Sequence, residues 1–260
     1  MILNEEQLLQ NWMEFLNYIE TYITGARKQQ LLDFYNKYEE RFILLPASHK
    51  PQYHNCFPGG YIEHVNRVVS ASLEIDSVWK KFDVKPTYTT EEVVFSALNH
   101  DLGKFGTFEH EAVLPNPSEW HVKNRGEIYT FNTQMDYMTV PDRGLWLLTQ
   151  LGISVSKNEF LAIKLHDGLY DEANKPYLMS WSPETKLRTS LPYIIHQADL
   201  LAARVEFERE WIDKLNNTAV EAQPKKALVT TPNYSKPKQV QIDIPENSNL
   251  KDIMSTFFND

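Results

Sequence analysis

Apolar residues recur at three- and four-residue spacing along most of this chain, which is the pattern of amphipathic helices. The spacing breaks once at Gly25 and predicts an N-terminal helical hairpin over residues 1–41, packed on the core. Residues 46–60 hold three prolines and two glycines, so we expect a loop there and a new helix from about Tyr61.

Further helices are predicted along the rest of the chain, and one short segment favours a strand. Residues Gly126–Asn132 alternate weakly between apolar and polar side chains, which fits a short strand, a hairpin arm or a loop. The strongest helical pattern runs over Leu191–Leu215, where one apolar stripe is formed by Ile194, Ile195, Ala198, Leu201, Ala202 and Val205. Other helical patterns cover Tyr61–Leu73, Val93–Leu98, Leu145–Leu151 and Glu159–Leu165.

The C-terminal part has a different composition. Residues 216–249 contain four prolines and few large apolar side chains, which predicts a flexible linker because such a segment cannot offset the entropy of ordering. Residues 250–260 then place apolar side chains at helical spacing and predict a short amphipathic helix. We expect this helix to dock on a protein partner or a second subunit, or to fold back on its own domain.

Composition favours a helical body and restricts the kinds of metal site. The 260 residues include only 9 glycines, too few for a fold with many tight turns. The lone cysteine, Cys56, excludes a disulfide framework and a multi-thiolate zinc site, so any metal must be held by His, Asp and Glu.

The charge of the chain limits its partners. A formal charge of −9 argues against binding long nucleic acid, which requires clustered Lys and Arg. A small anionic substrate fits if a few cations line one cleft. No apolar run approaches the ~18 residues of a membrane span, and the first residues do not look like a secretory leader, so we expect a cytoplasmic protein without a membrane partner.

Polar groups interrupt the apolar faces of four predicted helices. These groups are His64, the pair His100-Asp101, the pair His166-Asp167, and Asp199. A single His on an apolar face is usually a satisfied core histidine, but four such helices without thiolates are most simply explained by one shared divalent ion. Mixed nitrogen and oxygen ligands favour Mn²⁺ first, with Fe²⁺, Ni²⁺, Co²⁺, Zn²⁺ or Mg²⁺ as alternatives.

The order of these residues resembles a known family. His64, then His100-Asp101 within NHDLGK, then Asp199 within HQADLLAAR look like the HD-domain metal-dependent phosphohydrolases over roughly residues 42–212. The segment RFILLPASHKPQYHNCFPGGYIEH is similar to a narrower branch, the HD domain of bacterial 3′-to-5′ exoribonucleases and relaxase-associated HD proteins. The resemblance implies an all-α HD-domain helical bundle over residues 42–215, with His64, His100, Asp101 and Asp199 as ligands of the first metal.

The resemblance also implies a reaction. A metal-activated water would cleave a phosphoester bond, with Asp101 orienting that water and Lys104, one turn later, reaching the same phosphate. Gly103 leaves room for the close approach.

Some members of the family that this chain resembles bind a second metal ion. Asp142-Arg143 stands where two-metal members of the family have a histidine on the middle helix. The candidate ligands of a second ion are His121, His166 and Asp167, and His54 lies in the family's loop near the metal. Alternatively, Arg143 takes over part of that ion's work by clamping a phosphate.

Several further side chains are candidates for substrate binding. Arg204 and the cluster around Lys123 and Arg125 offer phosphate and base contacts, and Tyr170 lies in a polar-aromatic segment suited to a base. Each of them is equally compatible with an ordinary solvated surface.

The leading hypothesis from the sequence is a metal-dependent phosphohydrolase acting on a small nucleotide. The first alternative is a 3′-to-5′ exonuclease or phosphodiesterase acting on short oligonucleotides or cyclic nucleotides, which the negative charge weakens. The second is a non-catalytic, metal-stabilised adaptor module whose working part is the C-terminal helix. The retained Lys104 and the full ligand set speak against that second alternative.

Overall fold

The computed structural model describes residues 3–212, without the side chains of residues 210 and 211. This part of the chain is mostly helical and contains one two-stranded sheet, so the predicted all-α fold with a small β-hairpin is confirmed. The predicted linker at 216–249 and the predicted helix at 250–260 lie outside the described residues. None of the described helices has the length and apolar character needed to cross a membrane.

The helical elements follow the predicted order. The prediction of a loop at 46–60 is confirmed up to residue 59, since the next helix begins at Gly60. In the described residues the α-helices are α1 (Glu5–Tyr22), α2 (Gly25–Lys37), α3 (Glu39–Leu44), α4 (Gly60–Lys81), α5 (Thr90–Asn99), α6 (Glu119–Arg125), α7 (Val140–Gln150), α8 (Lys157–Lys164), α9 (Lys175–Leu178) and α10 (Leu191–Phe207). Short 3₁₀ turns lie at Leu102–Phe105, Gly168–Tyr170, Glu172–Asn174 and Pro183–Thr185, and a π-helical segment at Glu208–Ile212.

The N-terminal helices support the centre of the molecule. Asn4 and Gln7 form a capping box at the start of α1, each side chain accepting a hydrogen bond from the other's backbone N–H. The inner face of α1 packs against α4 and α5. In α2, the buried Tyr35 hydroxyl donates to the Asn99 side chain at 3.1 Å, which fixes the C-terminal end of α5.

Three helix pairings form the core around the predicted polar residues. Helix α10 packs against α4 on one side and α8 on the other, and α4 also packs against α5. The inward side chains are mainly Val, Ile, Leu and Ala, such as Val65, Val68, Ala97 and Ile195, all fully buried. These pairings bring α4, α10 and the C-terminal ends of α5 and α8 together in one region.

The two strands lie on either side of α6 in sequence. Strand β1 (Val113–Pro115) pairs antiparallel with β2 (Tyr129–Phe131), and Val113 lies opposite Phe131. The segment predicted as a hairpin arm near residues 126–132 therefore contains a strand. Its partner strand β1 was not predicted, because a three-residue strand ending in Pro115 has too little alternation to be recognised.

The inner face of α10 differs from the predicted stripe. Leu201 and Val205 are 48% and 38% exposed, whereas Glu206 is buried. The buried face follows Ala198, Ala202 and Glu206 at four-residue spacing. Apolar periodicity predicted the buried Ile194, Ile195, Ala198 and Ala202, but missed Glu206 because its side chain is a carboxylate.

Candidate metal centre

Four helices deliver the predicted polar side chains to one region. His64 lies in the second turn of α4, and Asp199 lies in the middle of α10. His100 directly follows α5, and His166 comes two residues after α8. The prediction that His100 and Asp101 lie within a helix is wrong, because α5 ends at Asn99 and a 3₁₀ turn begins at Leu102.

The reactive atoms of these side chains converge within a few ångströms. His64 Nε2 lies 3.2 Å from Asp199 Oδ1 and 3.4 Å from His100 Nε2. His100 Nε2 lies 3.4 Å from Asp101 Oδ2 and 3.9 Å from Asp199 Oδ1. The four residues predicted as ligands of the first metal are thus neighbours, and we refer to them together with His166 as the ligand cluster.

The opposite ring nitrogens of the three imidazoles are all occupied. Nδ1 of His100 donates to the Ala97 carbonyl at 2.7 Å, and Nδ1 of His166 donates to the Ile163 carbonyl at 2.8 Å. Nδ1 of His64 contacts the Glu206 carboxylate at 3.1 Å. A carbonyl or carboxylate can only accept, so each Nδ1 carries a proton and each Nε2 is directed towards the cluster, where it can bind a metal ion once its own proton is lost.

Burial and charge in the cluster favour a cation at its centre. Burial would lower the pKa of His64, but Glu206 and Asp199 raise it to about 10. Burial would likewise lower the pKa of His166, but Asp101 and Asp167 raise it to about 9. The carboxylates that stabilise protonated imidazoles here also favour a metal ion bound in place of those protons.

Asp101 is the most enclosed carboxylate of the cluster. Its burial alone would raise its pKa, but Lys104 and His100 hold the pKa well below the ordinary range. Lys104 Nζ lies 2.5 Å from Asp101 Oδ2, and the Lys104 side chain is 23% exposed. Gly103 allows this turn, because a Cβ there would come within 2.0 Å of the Val140 carbonyl oxygen.

The candidate second-metal residues separate into two groups. His166 Nε2 lies 3.6 Å from Asp101 Oδ1, and Asp167 stands beside it at the edge with 44% of its side chain exposed. His121 is elsewhere, at the start of α6, where its Nδ1 contacts the Ser118 hydroxyl at 2.7 Å. The structure therefore brings His166 and Asp167 to the ligand cluster and leaves His121 in a different pocket.

Arg143 does not face the cluster as a phosphate clamp. Its Nη1 donates to the Gly103 carbonyl and its Nη2 to the Met138 carbonyl, both at 3.1 Å, and the residue is 9% exposed. Burial lowers the pKa of this guanidinium. Arg143 thus stabilises the backbone beside Asp101. Its guanidinium binds backbone carbonyls in place of the predicted phosphate.

The other predicted substrate-binding residues lie on the surface. Arg204 is paired with Glu208 at 2.9 Å, and Lys123 with Glu119 at 3.0 Å. Arg125 lies over the Trp120 ring, 5.3 Å from its centroid. Tyr170 is 80% exposed, four residues after His166. These placements match the solvated-surface interpretation at least as well as a binding role.

Sequence reasoning missed the buried carboxylate that orients His64. Glu206 is 1% exposed and contacts both His64 and the Arg67 guanidinium. Arg67 also binds Glu63 at 2.9 Å. A usable signal exists in the sequence, because Glu206 follows Asp199 by seven residues, two helical turns along the same face.

His54 approaches the cluster from the loop before α4. Its ring centroid lies 4.6 Å from that of His64, and burial lowers its pKa to about 3. His54, His64 and Glu206 form one compact donor group, while His64, His100 and Asp101, and also His100, His166 and Asp199, form two others. His54 is therefore a neutral imidazole at the rim of the ligand cluster.

The donor set fits a divalent metal ion. Three Nε2 atoms and the carboxylates of Asp101 and Asp199 converge in a buried region, and each imidazole is held by a bond to its other nitrogen. This is the arrangement of histidine metal ligands in proteins generally. These buried His and Asp groups can therefore hold a divalent ion.

No protein-family model matches the chain, and no curated protein or solved structure matches it significantly. What the site can do follows from its own residues.

Proposed function

We propose that this protein is an HD-type metal-dependent phosphohydrolase that cleaves a phosphoester bond of a nucleotide-like substrate. The single observation that carries the proposal is the convergence of three Nε2 atoms and two carboxylates, with every Nδ1 already bonded. Such preorganised donors are expected of a site that binds a metal, because an unused cluster of buried ionisable groups would be costly to maintain.

The proposed ligands are His64, His100, Asp101 and Asp199, with His166 as an additional imidazole. The mixed nitrogen and oxygen donors favour Mn²⁺, with Fe²⁺, Co²⁺, Ni²⁺, Zn²⁺ or Mg²⁺ as alternatives. When bound, such an ion would supply a Lewis acid for a phosphoryl oxygen and lower the pKa of a water molecule. Asp167, at the exposed edge beside His166, marks where a second ion would be held.

Asp101 and Lys104 are the proposed catalytic pair. The Asp101 carboxylate accepts from the Lys104 ammonium at 2.5 Å, so its remaining oxygen is oriented and can hold a proton of the attacking water. Lys104 is partly exposed and carries its charge next to the ligands, where it neutralises negative charge on a substrate phosphate. Glu206 acts on the reaction through His64, which it orients, and is therefore a positioning residue.

The test combines metal content with hydrolysis. The full chain is purified, its metals are measured by elemental analysis, and nucleoside mono- and triphosphates, cyclic nucleotides and short oligonucleotides are assayed with and without added Mn²⁺. We expect about one or two ions per chain and hydrolysis of at least one substrate class. Released phosphate, triphosphate or single nucleotides would identify the bond that is cleaved.

A matched pair of variants links the activity to the cluster. Asp199→Asn should lose both the metal and the hydrolysis, whereas Asp136→Asn, at an exposed position, should retain both. A chain that holds no metal and hydrolyses nothing, or an Asp199→Asn variant as active as its parent, would refute the proposal.

A further inference from the structure

A cavity of about 370 Å³ lies between the loop at residues 46–59 and the β-hairpin, and we call it the hairpin cavity. No member of the ligand cluster lines it. Its wall combines imidazole, aromatic, cationic and acidic side chains from both segments: His49, Lys50, His121, Glu127, Tyr129 and Phe131.

The aromatic part of this wall offers planar surfaces. Phe131 is 60% exposed, and its ring centroid lies 3.9 Å from that of His49. Burial, together with the charge of Lys50, lowers the pKa of His49, so its imidazole is neutral at pH 7. A neutral imidazole beside an exposed phenyl ring is a surface on which a flat heterocycle can stack.

The polar part of the wall supplies directional contacts. Lys50 brings an ammonium group and Glu127 a carboxylate to the same cavity. The Glu127 carboxylate is only loosely held, because its ion pair with Arg125 is 3.9 Å long. A carboxylate accepts from ribose hydroxyls or exocyclic amines, and an ammonium donates to the carbonyl oxygens or ring nitrogens of a base, so the pair suits the base and ribose of a nucleotide.

The loop at residues 46–59 ties this cavity to the ligand cluster. Its first residues carry His49 and Lys50, and its middle carries His54, whose ring lies against His64. The loop is closed on itself, since the Ser48 hydroxyl donates to the His54 carbonyl at 2.8 Å.

We propose that the hairpin cavity binds the base and ribose of a nucleotide whose phosphate lies at the ligand cluster. The proposal rests on the proposed function and specifies its substrate class. The shared chemistry is a flat base joined to a phosphorylated sugar, as in a mononucleotide or the terminal nucleotide of an oligonucleotide. The predicted base contacts near α6 are thereby reassigned, because Lys123 and Arg125 do not line the cavity, whereas His121 and Tyr129 do.

Calorimetric binding to the full chain tests this subsite without relying on turnover. The probes are inorganic phosphate, the four common nucleoside 5′-phosphates, and a 5′-phosphorylated dinucleotide, each titrated into the full chain as purified with its metal, and the heat of binding is separated from any slower heat of hydrolysis. At least one nucleotide should bind more tightly than phosphate. Phe131→Ala and His49→Ala should each weaken the binding of that nucleotide about 5- to 100-fold, which is the effect of losing a stacked base. The affinity for phosphate should stay within about twofold of the parent value.

Control variants remove comparable side chains far from the cavity. Phe82→Ala deletes a phenyl ring that is 78% exposed at the other end of α4, about 27 Å along the helix from His64. It should leave nucleotide binding unchanged. Lys50→Ala should weaken nucleotide binding about tenfold. Lys81→Ala is the corresponding control and should leave nucleotide binding unchanged.

Each result has a distinct meaning. The subsite is overturned if no nucleotide binds more tightly than phosphate, or if Phe131→Ala and His49→Ala both leave nucleotide binding within twofold while hydrolysis persists. It is upheld if these variants lose nucleotide binding even in a protein that hydrolyses nothing, in which case the proposed function alone fails. Tenfold tighter binding of the dinucleotide upholds the subsite and identifies its occupant as the end of an oligonucleotide.

Discussion

The two His-Asp dipeptides of this chain share a local design and differ in what surrounds it. His100-Asp101 and His166-Asp167 each follow the end of a helix and precede a 3₁₀ turn. In both, Nδ1 of the histidine donates to the carbonyl three residues earlier, and Nε2 faces the ligand cluster. The imidazole is therefore placed by the same short stretch of backbone in each case.

The carboxylates of the two dipeptides have different environments. The Asp101 side chain is 5% exposed and pairs with Lys104, three residues later. The Asp167 side chain is 44% exposed, and the residue three positions later is Tyr170. A buried carboxylate requires a cation, whereas an exposed one is solvated. In each dipeptide the local backbone positions the histidine, and the residue one turn later determines what the aspartate can do.

The largest expected difference between the two dipeptides is in catalysis. Under the proposed function, Asp101→Asn should lower the hydrolysis rate about 10³-fold, because the variant would lose a proposed metal ligand and the group proposed to orient the water. Asp167→Asn should lower it about tenfold or less, since that carboxylate lies at the edge of the cluster. Steady-state rates and elemental analysis of both variants check this, and equal losses would show that the two aspartates are equivalent.

The next effect concerns stability. Lys104→Ala leaves Asp101 buried without its ammonium partner, and we expect the metal-free protein to lose about 2–3 kcal/mol of unfolding free energy, after discounting for the partial exposure of Lys104. Added metal should reduce the loss, because the ion also compensates the carboxylate charge. Tyr170→Ala, at the corresponding position after the second dipeptide, should change the unfolding free energy by less than about 0.5 kcal/mol. Urea denaturation with and without Mn²⁺ measures both.

A third expected effect separates His64 from the two dipeptide histidines. Their Nδ1 atoms are held by backbone carbonyls, but that of His64 is held by the Glu206 side chain, which can be removed. Glu206→Ala should weaken metal binding about 10- to 100-fold, the usual effect of losing the group that orients a ligand. The control Glu63→Gln removes the other carboxylate bound to Arg67 and leaves the contact between Glu206 and His64 in place. If Glu63→Gln weakens metal binding as much as Glu206→Ala does, the loss arises from the altered position of Arg67 and not from the contact between Glu206 and His64.

The sequence was sufficient to predict most of the helices and the convergence of the cluster. Apolar spacing predicted α4, α5, α8 and α10, and polar residues on these helices or directly after them identified the histidines and aspartates that meet there. The role of Glu206 was missed because hydrophobic periodicity treats a buried carboxylate as a surface residue.

Features that depend on contacts between distant segments were not predictable. Arg143 binds the carbonyl of Gly103, 40 residues away, and nothing in the local sequence distinguishes this from a phosphate contact. The hairpin cavity is likewise formed by a loop and a strand pair that are distant in sequence. Local sequence patterns specify helices, strands and their buried faces. The binding partner of an individual Arg or Lys side chain depends instead on which backbone or side-chain groups the fold brings near it.

The smallest expected effect tests the glycine that follows the second dipeptide. Gly168 has a φ of +58°, and a Cβ there would meet the His196 ring at 2.3 Å. His196 Nδ1 in turn contacts the His166 carbonyl at 2.7 Å. Gly168→Ala should therefore cost about 1–2 kcal/mol in unfolding free energy through its left-handed backbone and through displacement of His196.

A glycine without crowded surroundings separates these two contributions. Gly25 has a φ of +66° with no atom within 4 Å of its Cβ position, so Gly25→Ala imposes a similar backbone strain without a clash. If His196 helps to place His166, only Gly168→Ala should also weaken metal binding, by a few fold, in a titration with Mn²⁺. Equal metal affinity in the two variants would mean that the carbonyl of Ile163 alone fixes the second dipeptide, as that of Ala97 does for the first.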